Sequence, residues 1–197
     1  FRCDDLCCGT KFGNSCEELR LTTTSALIEA VQILSPFRKR GTVCADALNG
    51  QIRELVNPRE AGKEEMKSLG RIFRVGDRII QTRNNEDVSN GEVGIISRIY
   101  TDDDGERLVD ITLLDGREVT YNDELMENVD LSYCITVHKS QGLTFNHVII
   151  DFSGGAFAGG QTYVALSRCT SLDGIILKKR ISRSDIFIKP EIIHFSQ

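Results

Sequence analysis

Chemistry in this chain concentrates in three short segments. The first, Thr136-Val137-His138-Lys139-Ser140-Gln141-Gly142-Leu143-Thr144, crowds hydroxyls, an imidazole, an amide and a cation together. Such a mixture suits contacts to phosphate and sugar. The apolar run Tyr133 to Val137 before it reads as a strand, so these groups sit at the carboxyl end of a strand, where open α/β sheets bind ligands. The competing reading is a polar strand-to-helix connection with no ligand. The second segment, Gln161-Thr162-Tyr163-Val164-Ala165-Leu166-Ser167-Arg168, reads as a helix of nearly two turns that puts Gln161 and Arg168 on one face. An arginine on an otherwise small and apolar helix needs a partner or solvent. Phosphate suits its planar fork best, and a surface salt bridge is the commoner fate. The third is the basic loop Arg38-Lys39-Arg40-Gly41, either a phosphate clamp or a solvated turn.

Missing motifs narrow the function further. No G-x-x-x-x-G-K-[ST] sequence occurs, and the glycines Gly154, Gly155, Gly159 and Gly160 lack the lysine that would make a phosphate-cradling loop. Asp151 follows the apolar Val148-Ile149-Ile150 without a second acid beside it. A self-sufficient nucleoside triphosphatase needs both parts. Cys3, Cys7, Cys8 and Cys16 lack paired metal-ligand spacing and a nearby histidine, so they read as ordinary thiols and no metal site is expected. With 7 cysteines in 197 residues the chain reads as free thiols in a reducing, cytoplasmic compartment. Cys134 and Cys169 read as small core residues.

The elements that must position these segments follow from periodicity. Ala30 to Leu34 reads as a buried strand ended by Ser35-Pro36. Ala45, Leu48, Ile52 and Leu55 fall at helical spacing and Asn57-Pro58 stops the helix. Residues 59–70 read as a polar linker. Arg78 to Thr82, Gly94 to Tyr100, Leu108 to Leu114 and Arg117 to Tyr121 read as strands joined by Asn90-Gly91, Asp102 to Gly105 and Asp115-Gly116 turns, the pattern of a small barrel. His147 to Phe152 and Gly174 to Leu177 return to buried strands around the helix, as in a parallel sheet. Charge divides the chain the same way: residues 71–130 carry 7 basic and 15 acidic side chains, net −8, against a whole-chain net charge of −5. An α/β unit interrupted by an all-β insert is therefore expected. No apolar run reaches a membrane span. The chain begins at Phe1 without a signal peptide pattern, as expected of a piece of a longer protein.

Read in order, the segments resemble a known set. Ile135 to Thr144 (ITVHKSQGLT) resembles motif V of superfamily 1 helicases, and Thr162 to Arg168 (TYVALSR) their motif VI. Val31 to Asn49 resembles the motif IV region of the RecD-like branch, and Phe73 to Gly94 the start of the barrel that branch inserts. HKSQGLT and YVALSR are also typical of Pif-type helicases. The resemblance covers roughly residues 17–197. It implies the C-terminal half of an ATP-dependent 5′-to-3′ DNA helicase: a RecA-like parallel sheet with flanking helices (residues 1–70 and 131–197), interrupted by a small β-barrel of Src-homology-3 type (residues 71–130). The Walker motifs would lie in an absent N-terminal RecA-like domain, which would hold most of ATP and Mg²⁺. DNA repair and recombination use motors of this type.

By the same resemblance, Arg168 is the arginine finger, and Arg38, with Arg40 as its rival, the motif IV arginine aimed at the γ-phosphate. Thr136, His138, Lys139, Ser140 and Tyr163 would face single-stranded DNA or couple to it. Gln141, Gly142, Thr144 and Gln161 would face the nucleotide. The acidic barrel departs from the basic grooves that usually track single strands; Arg74, Arg78 and Arg83 are candidates for a small basic patch on it. The alternative is a non-motor, helicase-derived module that binds DNA or protein.

Overall fold

Apolar β-branched runs form the heart of the molecule. The computed structural model describes residues 31–186. The N-terminal cysteines Cys3, Cys7, Cys8 and Cys16 lie outside the described residues. Strand β1 is Val31–Ser35. It is flanked on one side by β9 (Cys134–Thr136) and on the other by β10 (His147–Ile150), beyond which lies β11 (Ile175–Leu177). All three pairings are parallel, with Ile33 opposite both Cys134 and Ile149. Leu34, Val148 and Ile150 are fully buried in a core shared with Ile135, Val137 and Phe152. Covered strands of this kind read as continuous apolar runs, which is why they are visible in the sequence.

Between β1 and β9 the chain makes a long excursion. Helix α1 (Ala45–Val56) stops where Asn57 caps it, and its Asn49 and Leu48 face β9. Leu55, expected on the buried face, is 55% exposed. The segment expected as a linker is instead a hairpin: β2 (Glu65–Ser68) pairs antiparallel with β3 (Arg71–Arg74). Leu69 and Gly70 both take left-handed φ values, 46° and 75°, the backbone hand that closes a two-residue hairpin. The polar sequence hides this hairpin because only Met66 and Phe73 carry its apolar face.

A five-stranded antiparallel sheet follows, in the order β7 (Glu118–Tyr121), β6 (Arg107–Leu113), β5 (Val93–Thr101), β4 (Arg78–Gln81), β8 (Val129–Leu131). Its core gathers Phe73, Ile79, Ile96, Val109, Ile111, Met126 and Val129. The short helix α2 (Asp123–Met126), capped by the Asn122 side chain, and β8 were not expected from periodicity. Three and four residues are too few to show a period. The described fold is thus one parallel sheet with two antiparallel sheets.

The two parts are tied where β8 runs into β9. Gln32 donates to the Ser132 carbonyl at 3.2 Å, and the Ser132 amide to Arg78 O at 2.9 Å. Asp77, fully buried, accepts from Asn57 Nδ2 at 2.8 Å, the Arg74 amide at 2.9 Å and the Tyr133 hydroxyl at 3.0 Å. Burial raises its carboxyl above the usual carboxylate range, against those three hydrogen bonds and the charge of Arg53.

Candidate nucleotide and nucleic-acid interface

Three loops leave the carboxyl ends of adjacent parallel strands: 36–44 after β1, 137–146 after β9 and 151–160 after β10. This edge is where a parallel sheet presents groups to a ligand. Each loop is braced from below by a buried polar side chain.

Ser35 braces the first loop. Its hydroxyl donates to Val43 O at 2.7 Å. The loop carbonyls of Phe37 and Arg38 then accept the Ala45 and Asp46 amides at 2.9 and 3.0 Å, supplying partners at the start of α1. The exposed cations of this loop part company. Arg38 turns toward Asp46 (3.6 Å) and Asp130 (3.4 Å), whereas the Arg40 guanidinium lies 5.9 Å from the centre of the Phe37 ring.

The second loop is a pair of tight turns. Ser140 is fully buried and its hydroxyl donates to Val137 O at 2.8 Å. The Ser140 amide returns to Thr136 O at 3.1 Å, and the Leu143 amide to Ser140 O at 3.0 Å. Gly142 turns the chain at φ 84°, a conformation that side-chain-bearing residues rarely adopt. Thr136 is buried and accepts the Lys139 amide at 3.3 Å, while the Lys139 ammonium reaches Asp130. His138, Gln141, Gly142 and Thr144 are left exposed.

Helix α3 (Gln161–Leu166) supplies the third brace. Gln161 is buried; its amide nitrogen donates to Pro36 O at 3.2 Å and its oxygen accepts the Phe157 amide at 3.1 Å, so it joins the first and third loops. Tyr163 is 76% exposed. The expected common face of Gln161 and Arg168 is not formed, because α3 ends at Leu166. Ser167 Oγ and Arg168 Nε both donate to Val164 O, at 2.9 and 3.1 Å, taking the carbonyl that a further turn would need. Arg168 instead folds onto the second loop, donating to Leu143 O at 3.1 Å and Ser140 O at 3.4 Å. Gly174 permits the close approach beyond it: a Cβ there would lie 2.0 Å from Asn146 O.

The structure also sorts the remaining candidates. Arg74 is buried and bound to Glu54, Glu65 and the Asn57 carbonyl, and Arg78 is buried with one nitrogen 3.2 Å from Val31 O. Neither forms part of a basic surface patch; of the three arginines proposed for one, only Arg83 is exposed. Cys134 is buried and burial pushes its thiol well up, so it is a core residue and not a nucleophile. Cys169 is only partly buried and its Sγ lies 3.2 Å from Asn146 O. Sequence reasoning missed Asn49, whose side chain exchanges 2.8 Å hydrogen bonds with the Cys134 amide and carbonyl. An asparagine at the buried stripe of an amphipathic helix was the available signal. Arg71 and Asp130 were missed as well.

Arg71, Asp130, Arg38 and Lys139 line a cleft of about 770 Å³ between β8 and the first two loops, together with Arg83 and Thr136. Its cations fit phosphate oxygens. Among the described residues no three or more His, Cys, Asp and Glu side chains cluster as a metal-holding group.

A parallel sheet with braced loops at its carboxyl edge, joined to an antiparallel module, defines an α/β protein whose ligand-presenting edge is in place. Residues 48–111 match the SH3 domain of ATP-dependent RecD-like DNA helicases. The ATP-dependent RecD2 DNA helicase of Deinococcus radiodurans is 35% identical over 123 residues, 61% of this chain and 16% of that protein. The ATP-dependent DNA helicase Pif1 of Campylobacter jejuni is 31% identical over 123 residues, 50% of this chain and 27% of that protein. In fold, Bacteroides Pif1 bound to single-stranded DNA superposes with a TM-score of 0.61 at 22% identity, over 85% of this chain and 44% of that one. A Candida albicans Pif1 helicase gives 0.60 at 20% identity, over 85% and 49%. The chain is thus similar in sequence to RecD-like and Pif1 DNA helicases, and it spans less than half the length of each of these relatives.

Proposed function

We propose that this chain is the C-terminal portion of an ATP-dependent 5′-to-3′ DNA helicase that translocates on single-stranded DNA. In this reading residues 1–70 and 131–197 form the second RecA-like domain and residues 71–130 an inserted barrel. The observation that carries it is the convergence of the three helicase-like segments at the carboxyl edge of one parallel sheet: the loops after β1 and β9, and the Gln161–Arg168 segment whose ends bond to both. His138, Lys139 and Tyr163 would meet the DNA strand, with Thr136 and Ser140 holding the turn that presents them. Gln141, Gly142 and Thr144 would face the nucleotide, with Gln161 joining the loops beneath.

ATP is substrate here. The N-terminal RecA-like domain of the whole protein would hold it with its Mg²⁺, and this chain would supply cations to the phosphate end. Arg168 is the finger in this reading. For that role its guanidinium leaves the Ser140 and Leu143 carbonyls and turns to the γ-phosphate, where charge develops during transfer. The exchange ties nucleotide state to the very loop that bears the DNA contacts. Arg38, whose guanidinium is half exposed, supplies the second cation, and Arg40 stays with Phe37.

The test is ATP hydrolysis and unwinding of a 5′-tailed duplex by the whole helicase, with and without Arg168→Ala. Loss of both activities with retained strand binding is expected. The isolated chain is expected to hydrolyse no ATP. Steady-state hydrolysis by the pure chain that Arg168→Ala abolishes would sink the proposal and leave a self-contained enzyme.

A further inference from the structure

Asp130 sits where a ligand anion would be expected. Three cations from three separate elements converge on its carboxylate: Arg38 from the loop after β1, Arg71 at the start of β3 and Lys139 from the loop after β9. The carboxylate comes from a fourth element, β8, and its side chain is 14% exposed at the edge of the 770 Å³ cleft. We infer that Arg38, Arg71 and Lys139 form a seat for a phosphate oxyanion, and that Asp130 is the seat's resident competitor. The inference rests on the proposed helicase reading for the identity of the ligand, but not for the existence of the seat.

Both arginines have partners besides the carboxylate, and the lysine is fixed at its backbone. Arg71 also donates to Val129 O at 2.6 Å and Glu127 O at 3.1 Å, so two backbone carbonyls orient its fork. The Lys139 amide is pinned to Thr136 Oγ1. Arg38 has a second anion in Asp46. Withdrawing Asp130 therefore leaves two oriented guanidinium groups and a lysine on a fixed backbone around one point, an arrangement that bidentate and point-charge recognition of phosphate both use. An incoming phosphate must first displace the carboxylate. Its apparent affinity is lowered by the fraction of molecules in which the seat is closed.

The same contact bridges the two parts of the molecule. Asp130 belongs to the antiparallel sheet, and Arg38 and Lys139 belong to loops of the parallel sheet. A phosphate that takes the seat thus cuts a tie between the sheets as it binds. The exchange gives ligand entry a mechanical consequence.

The experiment compares the full chain with Asp130→Asn, which keeps the shape and loses the charge. Binding is measured by fluorescence anisotropy with an oligothymidylate and by calorimetry with inorganic tripolyphosphate, over a range of salt. Asp130→Asn is expected to bind about tenfold more tightly to at least one probe, as opening a mostly closed seat requires. A gain for oligothymidylate alone identifies the DNA strand as the occupant; a gain for tripolyphosphate alone identifies the nucleotide. Asp130→Glu, which keeps the charge, is expected to show no gain. Equal or weaker binding of both probes by a folded Asp130→Asn chain overturns the competitor. Tight oligothymidylate binding, with neither probe responding to the loss of the Asp130 charge, leaves the helicase reading standing while the seat falls. No oligothymidylate binding by either chain, with a tripolyphosphate gain, does the reverse. If Asp130→Asn fails to fold by circular dichroism, Arg71→Gln decides: severalfold weaker binding supports the seat, and unchanged binding overturns it.

Discussion

The two sheets bury polar side chains to different ends. Beside the antiparallel sheet, Asp77, Tyr133, Asn57 and Arg74 close a network in which every named group meets another protein group. At the carboxyl edge of the parallel sheet, Ser35, Ser140 and Gln161 spend their hydrogen bonds on loop carbonyls and lift charged neighbours to the surface. The first arrangement locks a joint; the second builds a platform. Burial of a polar residue therefore marks scaffolding in both regions, and the candidate chemistry belongs to the exposed residue next to it, such as Gln141 beside Ser140.

The sharpest way to break this contrast is Arg168→Ala in the whole helicase. The turnover of ATP is expected to fall by about 10³–10⁵, the range for lost arginine fingers. A fall below tenfold would mean that Arg168 only staples the loop to α3. In the antiparallel core, Phe73→Ala removes a fully buried ring. Denaturant unfolding should register a loss of about 3–5 kcal/mol with no selective effect on nucleotide or DNA binding. Between the sheets, Asn49→Ala strips the Cys134 backbone of its partners, and a loss of about 1–3 kcal/mol is expected by the same measurement.

The Asp77 joint makes a signed prediction about pH. Its carboxyl is raised in the folded chain, so between the ordinary carboxylate value and the raised one the native state holds the proton more tightly than the unfolded state. Asp77 thus favours folding at the acid end of that window, and the contribution is lost as pH rises through it. Unfolding free energies of wild type and Asp77→Asn should differ by an amount that drifts against the wild type as pH increases; a drift in the opposite direction would refute burial as the dominant cause. The smallest effect belongs to Tyr163→Ala. With its side chain in solvent, stability should change by less than about 0.5 kcal/mol, while oligothymidylate affinity falls if the ring meets DNA.

Long apolar runs and turn pairs were readable without coordinates. Val31 to Leu34, Val148 to Ile150 and Ile175 to Leu177 form parallel strands as their apolar runs suggest, but the last is an edge strand with Ile176 and Leu177 exposed rather than the buried strand expected; Asn90-Gly91 and Asp115-Gly116 turn where expected. The candidate loops could be found because strand ends and polar clusters are local features. The hairpin over residues 65–74 could not, since its stability comes from packing Met66 and Phe73 on a distant core. Nor could the burial of Arg74 and Arg78, because an arginine looks the same in sequence whether it faces water or a buried set of acceptors.

The sequence by itself determined which segments carry cations and hydroxyls, and in what order along the chain. Periodicity and composition are written residue by residue, so no partner is needed to read them. Only the tertiary structure decided that Arg38 and Arg40 diverge, that Arg168 lies past the end of its helix, and that Asp130 meets Arg38, 92 residues away. Those outcomes depend on which carbonyl, ring or carboxylate the fold brings close to a donor, and hydrogen bonds and ion pairs weaken with distance.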